Sequence, residues 1–421
     1  MHHRLHSLGW VLATLVASTS LSAAAFERQI GPDQDLQTVV DMLPPGATLR
    51  LSAGRHDGPL RIHRPLSLIG DPGAVIDGGG QGRVVTIDGP DIRVQGLTIR
   101  GSGIDLSKED SGVFVTRNGD RARVLDNYLQ DNLIGIYLKG PEDAWVRGNT
   151  VEGRRDLRVN ERGNGIHLWN TPGSRVEEND IRWGRDGIFV TTSRGNVFRA
   201  NRMRDLRFAV HYMYTDASLV SDNISSGNHI GYALMYSSHL RVTNNVSSGD
   251  RDRGILFNYA NQSQIHGNRV LPGPEKCVFI YNSNINQIHG NRFEGCEIGI
   301  HFTAGSEQNG MWENAFVNNR TQVKYVGSRY LEWSKQGRGN YWSDHTAFDL
   351  DGDGLADQAY RPNGLVDQLM WRHPLAKLLL NSPAVQLLRW AQSRFPALYP
   401  GGVTDSAPLM SAPGAAGNTH G

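Results

Sequence analysis

The chain has 421 residues, 49 of them glycine, with 8% aromatic and 20% charged residues and a formal net charge of +1. That near-neutral balance carries no basic excess or stripe, so nucleic acid is not an expected partner. The length suffices for a large core, and past the N-terminus no run approaches the roughly 20 apolar residues of a membrane span.

Met1 to Ala25 opens on His2, His3 and Arg4, continues through an apolar stretch from Leu8 to Val16 and leaves on Ala23, Ala24 and Ala25. Such a pattern predicts a secretory signal peptide over 1–25, the alternative being an uncleaved anchor. Export to a bacterial periplasm is the expectation. Residues 34–43 place Leu36, Val39, Val40 and Leu43 at helical spacing before Pro44, Pro45 and Gly46, predicting a short helix that caps a solenoid end. Short β-branched runs follow from Thr48 to Ile99, separated by glycine and Asp-Gly turns.

From Gly112 to Asn314 the sequence repeats every 22 or 23 residues, with one longer unit. Asn127, Asn149, Asn179, Asn201, Asn223, Asn245, Asn268, Asn291 and Asn314 recur at one position, each three residues after an apolar residue of the series Val124 to Met311. A second ladder starts strands at Gly112, Gly135, Gly165, Gly187, Ala209, Gly231, Gly254, Cys277 and Gly299, with apolar residues at the second and fourth positions. Alternate apolar residues share one face of a strand, and a coil this short leaves no room for crossover helices. The fold class is therefore all-β, a right-handed parallel β-helix over 26–338 with an N-terminal cap. The asparagines read as turn residues that bond from coil to coil and tolerate the left-handed conformation. Eight extra residues predict a charged bulge at Arg154 to Glu161.

Beyond Gly339 the composition changes. An extension over 339–400 carries an acidic loop and two predicted helices, Pro374 to Leu380 and Ser382 to Phe395, the second with Ser382 as N-cap and Pro383 at its first position. Residues 401–421 read as a flexible tail.

Third and fifth positions of the repeat point outward, and there His211, Met213 and Met235 combine imidazole with thioether, the ligand types of a copper site. An outward aromatic and methionine stripe also suits packing under a loop or binding a partner. Trp169 lies on the same stripe. In the acidic loop Asp349, Asp351, Asp353 and Asp357 occupy the first, third, fifth and ninth places of a calcium loop, but Tyr360 stands where a bidentate glutamate belongs. A structural calcium ion is the expectation, against a plain Asx turn. Leu387, Trp390 and Phe395 leave the last helix apolar enough to dock a partner. Cys277 and Cys296 can form one disulfide or remain two buried thiols. A β-helix acting on saccharides is the rival reading, and it needs clustered carboxylates that the outward positions lack.

Leu66-Ser-Leu-Ile-Gly70, Val75-Ile-Asp-Gly-Gly79, Val94-Gln-Gly-Leu-Thr-Ile99, the asparagine coils, Gly339-Asn-Tyr-Trp342, the acidic loop and the ending with Pro374-Leu, Ser382-Pro-Ala and Pro408-Leu-Met410 together resemble the NosD family. The coils alone are common to many β-helix proteins; coupled to this C-terminal region they are specific. The resemblance implies a periplasmic accessory protein rather than an enzyme. It would work with the membrane subunit and the ATPase of an ABC transporter, take copper transiently from a periplasmic copper chaperone, and assist copper-site assembly in apo nitrous oxide reductase.

Overall fold

The computed structural model describes residues 26–373, 375, 379, 382–395 and 401–413. The expected signal peptide lies outside them. The chain winds as a right-handed parallel β-helix with three long sheets of 13, 12 and 13 strands along the rod, all pairing parallel. Each coil contributes one strand to each sheet, so every strand pairs with its counterparts one coil before and one coil after. In the second sheet Ile188, Val210, Tyr232 and Ile255 are successive register partners, as the second-position series requires. These side chains and the fourth-position series are buried and form one continuous core. Burying two such side chains per strand stabilises by about 3–6 kcal/mol, far more than any single turn contact.

The turns carry a hydrogen-bonded ladder. The backbone N–H and the Nδ2 of Asn201 both donate to Oδ1 of Asn223, at 3.0 and 2.9 Å, while the other Nδ2 hydrogen reaches the Val176 carbonyl at 2.9 Å. The same pattern runs from Asn127 through Asn314 and takes in Asn340, a tenth rung that the sequence period misses because it lies 26 residues on. One expectation is corrected. The left-handed residue is not the asparagine but the one before it, Asp126, Glu178, Ala200, Asp222, Asn244 and Glu313 among them. The asparagine is held by its amide, and its predecessor makes the bend.

Both ends are closed. Helix α1, Leu36–Met42, buries Leu36, Val39 and Val40 on the first coil, and the Asp35 carboxylate accepts the Thr38 N–H at 2.7 Å as its N-cap. At the far end Phe316, Trp342 and Tyr360 stack with ring centres 4.3 and 4.4 Å apart. The flexible tail expected from 401 is not what residues 401–413 form. Gly402–Thr404 is a strand parallel to Tyr330–Glu332, and the buried Asp405 carboxylate accepts from the Asn340 N–H at 2.7 Å and the Trp342 indole at 2.8 Å. Asn340 and Trp342 would otherwise be buried donors without acceptors, which explains why this segment is held.

Helix α2, Leu365–Arg372, was not expected, and helix α3, Pro383–Arg394, was, with the Ser382 hydroxyl accepting the Val385 N–H. Val366 and Val385 pack the two together. The helix predicted over 374–380 falls almost wholly outside the described residues. Cys277 and Cys296 are joined in a disulfide, their Cα atoms 5.7 Å apart.

Candidate functional site

Four consecutive strands of the second sheet, Asp186–Arg194, Phe208–Asp216, Ile230–Ser238 and Arg253–Asn261, run nine residues each, longer than their neighbours. The candidate site begins on this lengthened stretch. Third-position side chains stack down the outward face: Tyr137 on His167 at 4.2 Å, His167 on Phe189 at 4.8 Å, Phe189 on His211 at 4.9 Å. The face is not open to solvent as the alternation implies, since Phe114, Tyr137 and His211 are buried. Two departures from the repeat cover it. Leu106 and Glu109 come from the connection before Ser111, and Arg162 to Asn164 close the bulge after Arg154, leaving a cleft of about 390 Å³ beneath.

Inside the cleft the two histidines differ. His167 is desolvated among rings, and burial pushes its imidazole down to about 4, so it is neutral at physiological pH. His211 places Nδ1 3.0 Å from the Asp186 carboxylate, which is buried and held by Arg207 through two bonds of 2.8 and 2.6 Å. Burial works against ionised Asp186, but His211 and Arg207 outweigh it and set its pKa below the usual carboxylate range. An ionised carboxylate only accepts, so His211 turns an Nδ1–H to it, and Nε2 is the ring nitrogen not committed to Asp186. Met213 lines the same cleft.

Of the three expected copper ligands, the structure thus brings His211 and Met213 into one cleft and adds His167. Met235 is the register partner of Met213, but it packs against the apolar cluster of Ile230, Ala233 and Leu256. Trp169 lies apart, half-exposed in a second groove with Arg83, Glu109 and Lys139. Glu109 bridges those two cations while Arg83 lies 3.4 Å over the Phe114 ring.

Sequence reasoning places Asp186 just before a strand and weighs it as a single acid, and it misses the pairing with Arg207. Asp186 precedes the strand-starting glycine, and Arg207 falls 21 residues on, at no position of either ladder.

The acidic loop lies beyond the rod's end. Carboxylate oxygens of Asp349, Asp351 and Asp353 come within 4.8 Å of one another, a hard-oxygen set that fits calcium. Much of it is already used: Asp349 accepts from Gly352, Asp353 and Gly354, and Asp357 from Leu350. Tyr360 is not turned toward the loop at all, for its ring packs on Trp342 and its hydroxyl donates to Asp344 at 2.9 Å. On α3, Leu387, Trp390 and Phe395 have exposed rings or chains.

A family profile described as "Periplasmic copper-binding protein (NosD)" matches residues 147–347, which include His167, His211, Met213 and the asparagine ladder from Asn149 onward. A protein of Stutzerimonas stutzeri named "Probable ABC transporter binding protein NosD" is 44% identical over 391 residues, covering 89% of this chain and 90% of that protein. The chain belongs to the NosD family. A relative of the same name from Pseudomonas aeruginosa is 45% identical over 378 residues, covering 87% of this chain and 88% of its own. Among solved structures, a family 28 exopolygalacturonase of Yersinia enterocolitica matches with TM-score 0.59 at 11% identity over 77% of this chain and 79% of that one. A mannuronic acid specific polysaccharide family 6 lyase from human gut microbiota matches with TM-score 0.57 at 11% identity, over 75% and 86%. At that distance these likenesses establish the β-helix alone.

Proposed function

We propose that this NosD-family chain is a periplasmic accessory protein of an ABC transporter that carries Cu(I) transiently in the His167–His211–Met213 cleft during assembly of the copper sites of nitrous oxide reductase. Copper is here the cargo. The observation that carries the reading is the pairing of two imidazoles with a thioether in one cleft, one imidazole held at Nδ1 by Asp186 so that Nε2 is the nitrogen left to coordinate. Thioether favours Cu(I), and a half-covered cleft keeps water away while leaving an exit. A periplasmic copper chaperone would supply the ion and apo nitrous oxide reductase would take it. The family profile's description and the relatives' names support the compartment and the transporter link.

The chain is read as a non-enzyme. A saccharide hydrolase or lyase needs an acid or base with a tuned pKa. Asp186 is held ionised by Arg207 and His211, and Glu109 is committed to Arg83 and Lys139. Calcium at Asp349, Asp351 and Asp353 would be structural, bracing the loop between Trp342 and Tyr360.

The test is an anaerobic Cu(I) competition titration. His211→Ala with Met213→Ala should lower affinity by at least about tenfold and reduce copper loading of the reductase in cells; unchanged affinity refutes the cleft. The membrane subunit is expected at the exposed side of α3. Removing 374–421 is the wrong probe, because it would also remove Asp405 and the strand Gly402–Thr404. Leu387→Ser with Leu388→Ser leaves both in place and should abolish co-purification with that subunit.

A further inference from the structure

One residue beyond Met213 and Met235, the same strands carry a second row of rings. Tyr214, Tyr236 and Tyr259 are 56%, 39% and 41% exposed and stack coil on coil, with ring centres 5.2 and 5.1 Å apart and planes within 25°. Tyr281 meets the end of the row edge-on at 6.0 Å. All three stacked tyrosines have left-handed backbones, with φ of 54, 48 and 54°. At the equivalent place the coils before and after use Asn170, Thr192 and Asn282, with φ of 50, 54 and 45°. Asparagine takes that conformation readily, whereas a bulky aromatic residue is an outlier there. Three consecutive coils therefore hold a residue ill suited to its backbone and leave its ring in solvent. Stacking of the rings returns only part of that cost, and strain retained at an exposed position points to use.

The row is also uncharged. Its neighbours on the cleft side are Thr191, Met213, Met235 and Asn258, with no acid or base among them. On the other side Arg194 and Asp216 face each other in register, a balanced pair, so an anionic or cationic partner would find no net charge to pair with. A saccharide stacks on open ring faces, and here the inner faces of Tyr214, Tyr236 and Tyr259 are closed on one another, so the row presents mainly edges and hydroxyls. What such a row suits is a protein surface, where tyrosine supplies large contact area at little conformational cost.

We propose that Tyr214, Tyr236 and Tyr259 form a docking rail for a protein partner with an uncharged, apolar contact face, seated so that it covers the His167–His211–Met213 cleft. The identity of that partner as a copper carrier rests on the copper reading above.

The test uses the full chain and its triple variant Tyr214→Asn, Tyr236→Asn, Tyr259→Asn, which installs the residue the flanking coils already use. The probe is the purified Cu(I)-loaded periplasmic chaperone, with binding followed calorimetrically at about 50 and about 500 mM salt. Expected is wild-type binding that changes less than about threefold with salt, a loss of at least about tenfold in the variant, an unfolding temperature no lower than wild type, and unchanged Cu(I) affinity. Equal binding by the variant overturns the rail, as does a steep salt dependence or a wild type that does not bind the chaperone. Neutral oligosaccharides serve as a second probe, and binding that the variant loses would reassign the rail to a glycan and overturn the proposal. His211→Ala separates the two readings: lost copper affinity with intact docking leaves both standing, and intact copper affinity sinks the cleft alone.

Discussion

Asp186 shows how much a single buried carboxylate sets. It neutralises Arg207, fixes the proton of His211 on Nδ1, and does both while almost wholly removed from water. Asp186→Asn should leave the Arg207 guanidinium unpaired and the imidazole free to change tautomer. Stability should fall by about 3 kcal/mol, and Cu(I) affinity by about tenfold or more. Chemical denaturation and chelator competition measure the two; a stability loss with no change in affinity would make Asp186 merely structural. His211 and Met213 were legible in the sequence because they sit on the repeat. The pairing of Asp186 with Arg207 and the burial of His167 were not, since they depend on how a connection near Leu106 and a bulge near Arg162 fold over a face that alternation alone leaves open.

Among the elements, the asparagine ladder was legible because a 22-residue period cannot hide a polar residue buried nine times over. Its chemistry was only half legible. Which residue bends left-handed depends on backbone angles, and Asp126, Asp222 and Glu313 gave no such signal. Asn223→Ala would leave the Asn201 N–H and one Asn201 amide hydrogen without an acceptor, costing about 2 kcal/mol or more by urea denaturation. Asp222→Gly, which suits φ of 58°, should cost little or stabilise. Equal losses in the two would contradict the division of labour described for the turn. At the C-terminal cap, Asp405→Ala strands the Asn340 N–H and the Trp342 indole. We expect a loss of about 3 kcal/mol confined to the last coils, visible as hydrogen exchange that speeds up at 314–342 and not at 127–201.

For the whole molecule, the two desolvated imidazoles give stability a direction with pH. His167 and His301 are both pushed to about 4 in the folded chain, mainly by burial, against an ordinary 6.5. Between those values the unfolded chain binds protons that the folded one refuses, so their contribution is intact above about 6.5 and is lost as pH falls toward 4. Each can steepen the fall by no more than about 1.4 kcal/mol per pH unit. His167→Gln should flatten the urea midpoint between pH 7 and 5; an unchanged slope would show that His167 titrates normally. The ladder adds a polarity of a different kind. In every rung the amide oxygen faces the coil before and one amide hydrogen faces the coil after, from the Leu97 N–H at one end to Asn340 at the other. Ten amides arranged head to tail make a one-way relay in which each unit both receives and passes on a hydrogen bond. A carboxylate can receive but cannot pass on. Asp405 therefore works as the terminator of the relay, an acceptor-only residue brought back from 65 positions downstream of Asn340 to tell the rod where to stop.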